Sequence, residues 1–303
     1  MLNKLPTGFY RQRKSDRITC RVEVTNGNLY PEQLQAISKI LKTFEYEGER
    51  PFAHNSTRQN IILINLSPDS IDYVTQELAK VELRPGSAGP VVRNIVSCLG
   101  TYQCPHAIID TQNLSKILYR KYSDRQLRSK LKISVGGCPN ACVNPFTDDI
   151  AIIGVAYPIV NNEVCNRFSA KKCGKGLCTV ICQEDAITLT EGKPKINYDK
   201  CTLDLDCQVK CPEGTIRLGA IGYSVYMGGR QGRRPKIARK ITEWIPEGSE
   251  EHIVRLVGVA IDMFNENRSS KRLCHVIDSM DGIENFRRDL FRRADFIPFK
   301  KIS

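Results

Sequence analysis

Residues 18–25, Ile-Thr-Cys-Arg-Val-Glu-Val-Thr, alternate apolar and polar with the period of a half-buried strand, and stop at the turn pair Asn26-Gly27. Pro31 then opens a helical stretch in which Leu34, Ile37, Ile40, Leu41 and Phe44 recur on one face. Residues 60–66 read as a second strand. Ser67-Pro68-Asp69 starts a second helix with Ile71, Val74, Leu78 and Val81 turned inward. Strand, helix, strand, helix in this order predict a small α+β plait over residues 1–85. Residues 85–90, Pro-Gly-Ser-Ala-Gly-Pro, read as a linker. Beyond it, residues 113–121 predict a helix with Leu114, Ile117 and Leu118 inward. Lys130 and Lys132 alternate on a predicted strand and share a face, with Ile133 and Val135 on the packed side. Residues 222–232 read as a strand and glycine turn. Residues 250–266 predict a helix with Ile253, Leu256, Val257, Ala260, Ile261 and Phe264 toward the core, and an arginine-rich helical tail follows.

At 303 residues the chain can bury a large core and hold one large and one smaller domain. Lysine and arginine total 45 against 33 acids, a formal charge of +12. No basic tract is interleaved with aromatic residues, and no zinc-finger or RNA-binding signature occurs, so nucleic acid is not the expected partner. The first residues lack the apolar run of a signal peptide. No stretch reaches the roughly 18 apolar residues of a membrane span. These features predict a soluble, cytoplasmic chain. Its 13 cysteines point to metal before disulfides and to a reducing, anaerobic setting. Cys20 and Cys274 stand apart and read as plain core thiols.

The other cysteines form two groups. Cys98 and Cys104 are spaced Cys-x5-Cys, and Cys138 and Cys142 lie in Gly-Gly-Cys-Pro-Asn-Ala-Cys. Four thiolates from two loops can hold a cubane iron–sulfur cluster, or zinc. Zinc sites usually use tight Cys-x2-Cys knuckles, which neither pair has. Between Val164 and Pro212 lie seven more: Cys165, Cys173, Cys178, Cys182, Cys201, Cys207 and Cys211.

Cys-x5-Cys followed by Gly-Cys-Pro-Asn-x-Cys resembles the signature of the sulfite and nitrite reductases that couple sirohaem to a 4Fe-4S cluster. Gly89-Pro90-Val-Val-Arg93-Asn94 resembles that family's Gly-Pro-x-x-Arg-Asn segment, and Ser56-Thr57-Arg58-Gln59 its Thr-x-Arg-Gln motif. By this resemblance Cys98, Cys104, Cys138 and Cys142 hold the cluster, and Cys142 also bridges it to the sirohaem iron. Arg21, Arg93, Lys130 and Lys132 form the substrate-binding cation set. Thr57, Arg58, Gln59, Asn140, Gly229 and Arg230 line the sirohaem, Arg58 by donating bidentately to a carboxylate. His106, beside Pro105, is not expected to ligate iron. Sirohaem carries roughly eight carboxylates and each cluster about two more negative charges, which gives the basic surplus a counterpart.

The Val164–Pro212 segment resembles a bacterial two-cluster ferredoxin, in which the fourth cysteine of each half ligates the other cluster. It departs from that pattern, because Cys173 is shifted and Asp204 takes one ligand position. Pairing across the repeat groups Cys165, Cys173, Cys178 and Cys211, and separately Cys182, Cys201 and Cys207 with Asp204. One or two further 4Fe-4S clusters are expected, one open to a 3Fe-4S form, with zinc or a single cluster as alternatives.

The expected architecture is α+β, with a ferredoxin-like plait half-domain over 1–85. A sirohaem- and cluster-binding α/β domain follows at 86–157 and 222–303, with an inserted two-cluster ferredoxin domain over 158–221. The resemblance covers essentially the whole chain. It implies a short, one-repeat sulfite reductase subunit that reduces sulfite to sulfide, laid out like dissimilatory subunits and the anaerobic catalytic subunit. Nitrite reduction is the alternative substrate reading, and a non-catalytic electron-transfer subunit the alternative class. No Gly-x-Gly-x-x-Gly follows a strand, so electrons are expected from an external donor protein or a flavin/iron–sulfur subunit. A single repeat leaves the cofactor pocket open, which predicts a homodimer or larger assembly.

Overall fold

The computed structural model describes residues 5–45, 50–165, 173 and 176–300. The chain begins with β1 (Phe9–Arg11) and β2 (Ile18–Glu23), then α1 (Pro31–Thr43). Next come β3 (Phe52–Asn55), β4 (Ile61–Leu66), α2 (Ile71–Ala79) and β5 (Arg84–Pro85). These strands form one antiparallel sheet in the order β1-β2-β4-β3, with β5 also paired to β2. Ile18, Cys20, Val22, Leu63, Val74 and Leu78 are its buried centre. Ile37 and Ile40 of α1 close that core, but Leu34, expected on the same face, is 52% exposed. Leu41 and Phe44 of the expected face pack half-buried against the same core.

The second sheet is built from β6 (Val96–Ser97), β7 (Ile133–Gly136), β8 (Ile150–Val160), β11 (Ile216–Met227) and β12 (Arg239–Pro246), in the order β12-β11-β8-β7-β6. β6, β7 and β8 run parallel, and the other pairs are antiparallel. α3 (Thr111–Tyr122) supplies the crossover from β6 to β7. Nine consecutive residues of β8, Ile150 to Pro158, are buried, so both sheet faces are covered. α3 and α6 (Glu250–Glu266), with α7 (Leu273–Ser279) and α8 (Ile283–Arg293), pack on one face. α6 buries every residue expected inward.

Between β8 and β11 the chain leaves the sheet and returns. α4 (Leu177–Ile181), the hairpin β9 (Ile187–Thr190) with β10 (Lys193–Ile196), and α5 (Asp206–Lys210) lie in this excursion. β8 and β11 stay paired up to Val160 and Ile216, and Asn161 N–H donates to the Thr215 carbonyl at 2.8 Å. The segments 166–172 and 174–175 flanking Cys173, part of the expected ferredoxin repeat, fall outside the described residues.

Candidate functional site

The parallel neighbours β6 and β7 deliver the first two thiols together. Ser97 pairs with Val135, so Cys98 leaves β6 beside the turn Gly136-Gly137-Cys138. Gly137 N–H donates to Cys98 Sγ at 3.2 Å, and its carbonyl accepts from Ile108 N–H at 2.8 Å. β8 crosses this turn so closely that a Cβ on Gly154 would lie 2.5 Å from the Gly137 carbonyl oxygen, which is why glycine stands there. Burial pushes the Cys138 thiol's pKa up. The Asn140 backbone N–H pulls it down, and the sulfurs of Cys104, Cys142 and Cys98 push it up further. The four cysteines are therefore electrostatic neighbours, and all thirteen in the chain are unpaired. Among the described residues no group of three or more His, Cys, Asp or Glu side chains is placed to hold a metal ion. Four thiols brought from two loops are nonetheless the donor type and number that a cubane takes.

The other end of β7 gathers positive charge. Among the described residues, Arg21, Arg58 and Arg272 act on Arg93, and Arg58 and Arg272 act on Lys132. Burial, then the Arg21, Arg58 and Arg272 charges, lower the Arg93 pKa against a pull from Tyr10. Burial also lowers that of Lys132, with Asp148 and Asp149 opposing and Arg58 and Arg272 reinforcing. The Arg21 guanidinium lies 5.5 Å over the Tyr10 ring. Arg93 donates to the carbonyls of Gly89 at 3.1 Å and Ser87 at 3.0 Å. The strand expected to carry both lysines starts at Ile133, after them. Lys130 is exposed, whereas the Lys132 side chain is 14% exposed.

Two acids missed in the sequence, Asp148 and Asp149, organise these cations. They head the apolar run of β8, and neighbouring acids before a fully buried strand are the signal that could have found them, since buried charges must be paired. Arg272 clamps Asp149 with Nε at 3.1 Å and Nη2 at 2.7 Å. Asp149 Oδ2 also accepts the Lys132 backbone N–H at 2.9 Å. Asp148 Oδ2 accepts from Arg58 Nη1 and from Ser134 Oγ. Lys132 Nζ lies 3.6 Å from Asp148 Oδ1 and donates to Gln231 Oε1 at 2.8 Å.

The Thr-x-Arg-Gln motif mostly fastens the two sheets to each other. Arg58 Nη2 donates to the carbonyls of Asn94 at 2.6 Å and Ile133 at 2.8 Å, so its fork is engaged inside the protein. Gln59 exchanges hydrogen bonds with the Ser97 backbone, at 2.6 and 3.0 Å. Asn94 answers by donating to the carbonyls of Val24 and Arg58, each at 2.9 Å. Thr57 and Asn140 are exposed. Arg58 Nε and Arg21 Nε are buried without partners, which is where an anionic ligand would be drawn. Gly229 is buried with its Cα against the carbonyls of Phe146 and Asp148, while Arg230 donates to the Arg234 carbonyl at 2.7 Å and sits 2.9 Å from His275 Nε2.

In the excursion, two further groups of acids and thiols emerge. Burial raises the Cys207 pKa to about 12, with Cys201, Asp204 and Cys182 adding to the effect. Cys178 feels Cys173 and Cys211 in the same way, after burial. Cys165, expected beside Cys178, is not among the groups that act on it. Asp204 is itself engaged, accepting from Thr202 Oγ1 and from the Asp206 N–H at 2.9 Å. His106 Nδ1 lies 3.2 Å from Asp206 Oδ1, next to Cys207.

The chain belongs to the nitrite and sulphite reductase family. The family's 4Fe-4S domain matches residues 88–296 and its ferredoxin-like half domain residues 10–81. The chain is 33% identical over 214 residues to a coenzyme F420-dependent sulfite reductase of Methanocaldococcus jannaschii, covering 70% of this chain and 33% of that protein. It is 26% identical to a subunit of the anaerobic sulfite reductase of Salmonella typhimurium, over 90% of this chain and 83% of that one. The crystal structure of dissimilatory sulfite reductase I superposes with a TM-score of 0.71 at 18% identity, covering 93% of this chain and 70% of that chain. The chain thus spans about a third of the F420-dependent enzyme.

Proposed function

We propose that the chain is the catalytic subunit of a sirohaem-dependent sulfite reductase, taking sulfite to sulfide with six electrons. The observation that carries this reading is the pairing of a four-thiol frame and a five-cation cluster at opposite ends of one four-residue strand, β7. Cys98, Cys104, Cys138 and Cys142 would hold a 4Fe-4S cluster, Cys142 shared with the sirohaem iron. Bound there, sirohaem and cluster supply a ligand position for sulfur and a store of electrons.

The chain's own residues supply the rest. Arg21, Arg93 and Lys132 are half-buried cations that attract an oxyanion and orient its oxygens more strongly than exposed ones would. Lys130 stands at the rim as an exposed attractor. Lys132, its pKa lowered by burial, releases a proton more readily than free lysine, as each departing oxygen requires. Arg230 and the unpartnered Nε of Arg58 would meet the cofactor's carboxylates. Cys165, Cys173, Cys178 and Cys211 would hold one further cluster. Cys182, Cys201 and Cys207, with Asp204, would hold another and pass on electrons from an external donor protein. A cytoplasmic location and a homodimer that closes the open side of the pocket complete the reading.

Anaerobically purified protein tests it directly. Sirohaem absorption, labile sulfide and faster turnover of sulfite than of competing nitrite are expected. Protein that takes up zinc and no tetrapyrrole would overturn the reading.

A further inference from the structure

Asp149 and Asp148 are neighbours with opposite degrees of commitment. Both oxygens of Asp149 are held, by Arg272 and by the Lys132 backbone. Only one oxygen of Asp148 is held. Its Oδ2 accepts from Arg58 and Ser134, but its buried Oδ1 has no hydrogen-bond donor. The Lys132 ammonium stands 3.6 Å from Oδ1, an ion-pair distance too long for a hydrogen bond. That ammonium has three donors, one of them taken by Gln231. The charged groups facing it are Asp148, Asp149, Arg58 and Arg272. Of these, only Asp148 has an oxygen free to draw it away from a substrate.

We propose that Asp148 is a positioning residue of the anion site: its carboxylate holds the Lys132 ammonium while the site is empty and yields it when the substrate anion arrives. Arg58 and Ser134 keep Asp148 in place during the exchange, so the carboxylate stays paired after Lys132 turns away. An arriving dianion outcompetes it by carrying more charge and by filling the ammonium's unused donors. The arrangement tempers anion affinity and returns Lys132 to a fixed place after each release. The inference rests on the sulfite reading given above.

Sulfite titrated into the oxidised holoprotein, followed by sirohaem absorption, tests it. Asp148→Asn should tighten sulfite binding on the order of tenfold near neutral pH, since a competing charge is removed. Lys132 also loses a partner that holds its proton, so the alkaline limit of binding should move to lower pH. In a Lys132→Gln background, Asp148→Asn should change affinity hardly at all, because its effect acts through that lysine. Unchanged or weaker binding in Asp148→Asn, or an equal effect in the Lys132→Gln background, would overturn the inference alone. If Asp148→Asn does not hold its cofactor, Ser134→Ala decides. It leaves the charges in place but removes a donor from Asp148, so sulfite should bind about threefold more weakly, and unchanged or tighter binding refutes the idea. Wild-type holoprotein that binds no sulfite would overturn the sulfite reading and this inference with it.

Discussion

Arg58 shows how much of a motif side chain's work a sequence leaves unsaid. Its motif points to a ligand carboxylate, but the carboxylate it grips is Asp148, 90 residues away in the same chain. No local pattern reports a partner at that separation, so two adjacent acids before an apolar run signal that partners are needed without saying that these are Arg58 and Arg272. The cysteines were legible because their spacing is itself the signal. Removing Arg58 should leave a buried, half-satisfied carboxylate. Arg58→Met is expected to destabilise the cofactor-free protein by about 3–5 kcal/mol, read as a lower midpoint of denaturant unfolding. The two lysines should part company in the same spirit. Lys132→Ala should lower sulfite turnover on the order of a hundredfold, and Lys130→Ala, which alters an exposed group, by less than about tenfold. Equal losses in steady-state assays would contradict the difference in burial.

At the scale of elements, α6 and β2 could be read from periodicity because each has one wet face. β8 is buried on both faces and shows no alternation, and β1, β3 and β5 are too short or too exposed to produce a pattern. The lysine strand failed by register, since β7 is a four-residue element that begins one position after Lys132. The turn before β8 is the tightest joint in the site. A Cβ on Gly229 would overlap the Asp148 carbonyl oxygen and come 2.6 Å from that of Phe146. Gly229→Ala should therefore cost about 2 kcal/mol or more and lower sirohaem retention, measured by bound-cofactor absorbance. Between β2 and α3 a second joint titrates. Burial pushes the Glu23 carboxyl's pKa up, against the hydrogen bonds and charge of Ser123 and Arg84. A carboxyl whose folded pKa is raised binds its proton more tightly in the native state. Its contribution is favourable at low pH and is lost as pH climbs through that raised value. Glu23→Gln should flatten this part of the stability–pH curve, as monitored by thermal melts across the acid range.

At the scale of the molecule, the excursion between β8 and β11 is anchored to the main domain. The Ala156 N–H donates to the Leu203 carbonyl at 3.1 Å, and Leu203 and Leu205 are buried among main-domain side chains. Calorimetry of the cofactor-free chain should accordingly show one cooperative transition spanning both parts, and two separated peaks would refute the anchoring. The segment's cysteine composition set it apart from its surroundings in the sequence, but its attachment was not legible, because left-handed residues such as Leu203 and Leu205 follow no pattern a sequence displays. Assembly belongs to the same scale. Light scattering of the holoprotein should give at least twice the 34.2 kDa chain mass, and a fully active monomer would end the homodimer reading. The paired strands that carry the excursion have one more consequence, for variation. Exit and re-entry lie side by side, with Val160 opposite Ile216, so the segment between them can change in length from one relative to another without reordering any strand.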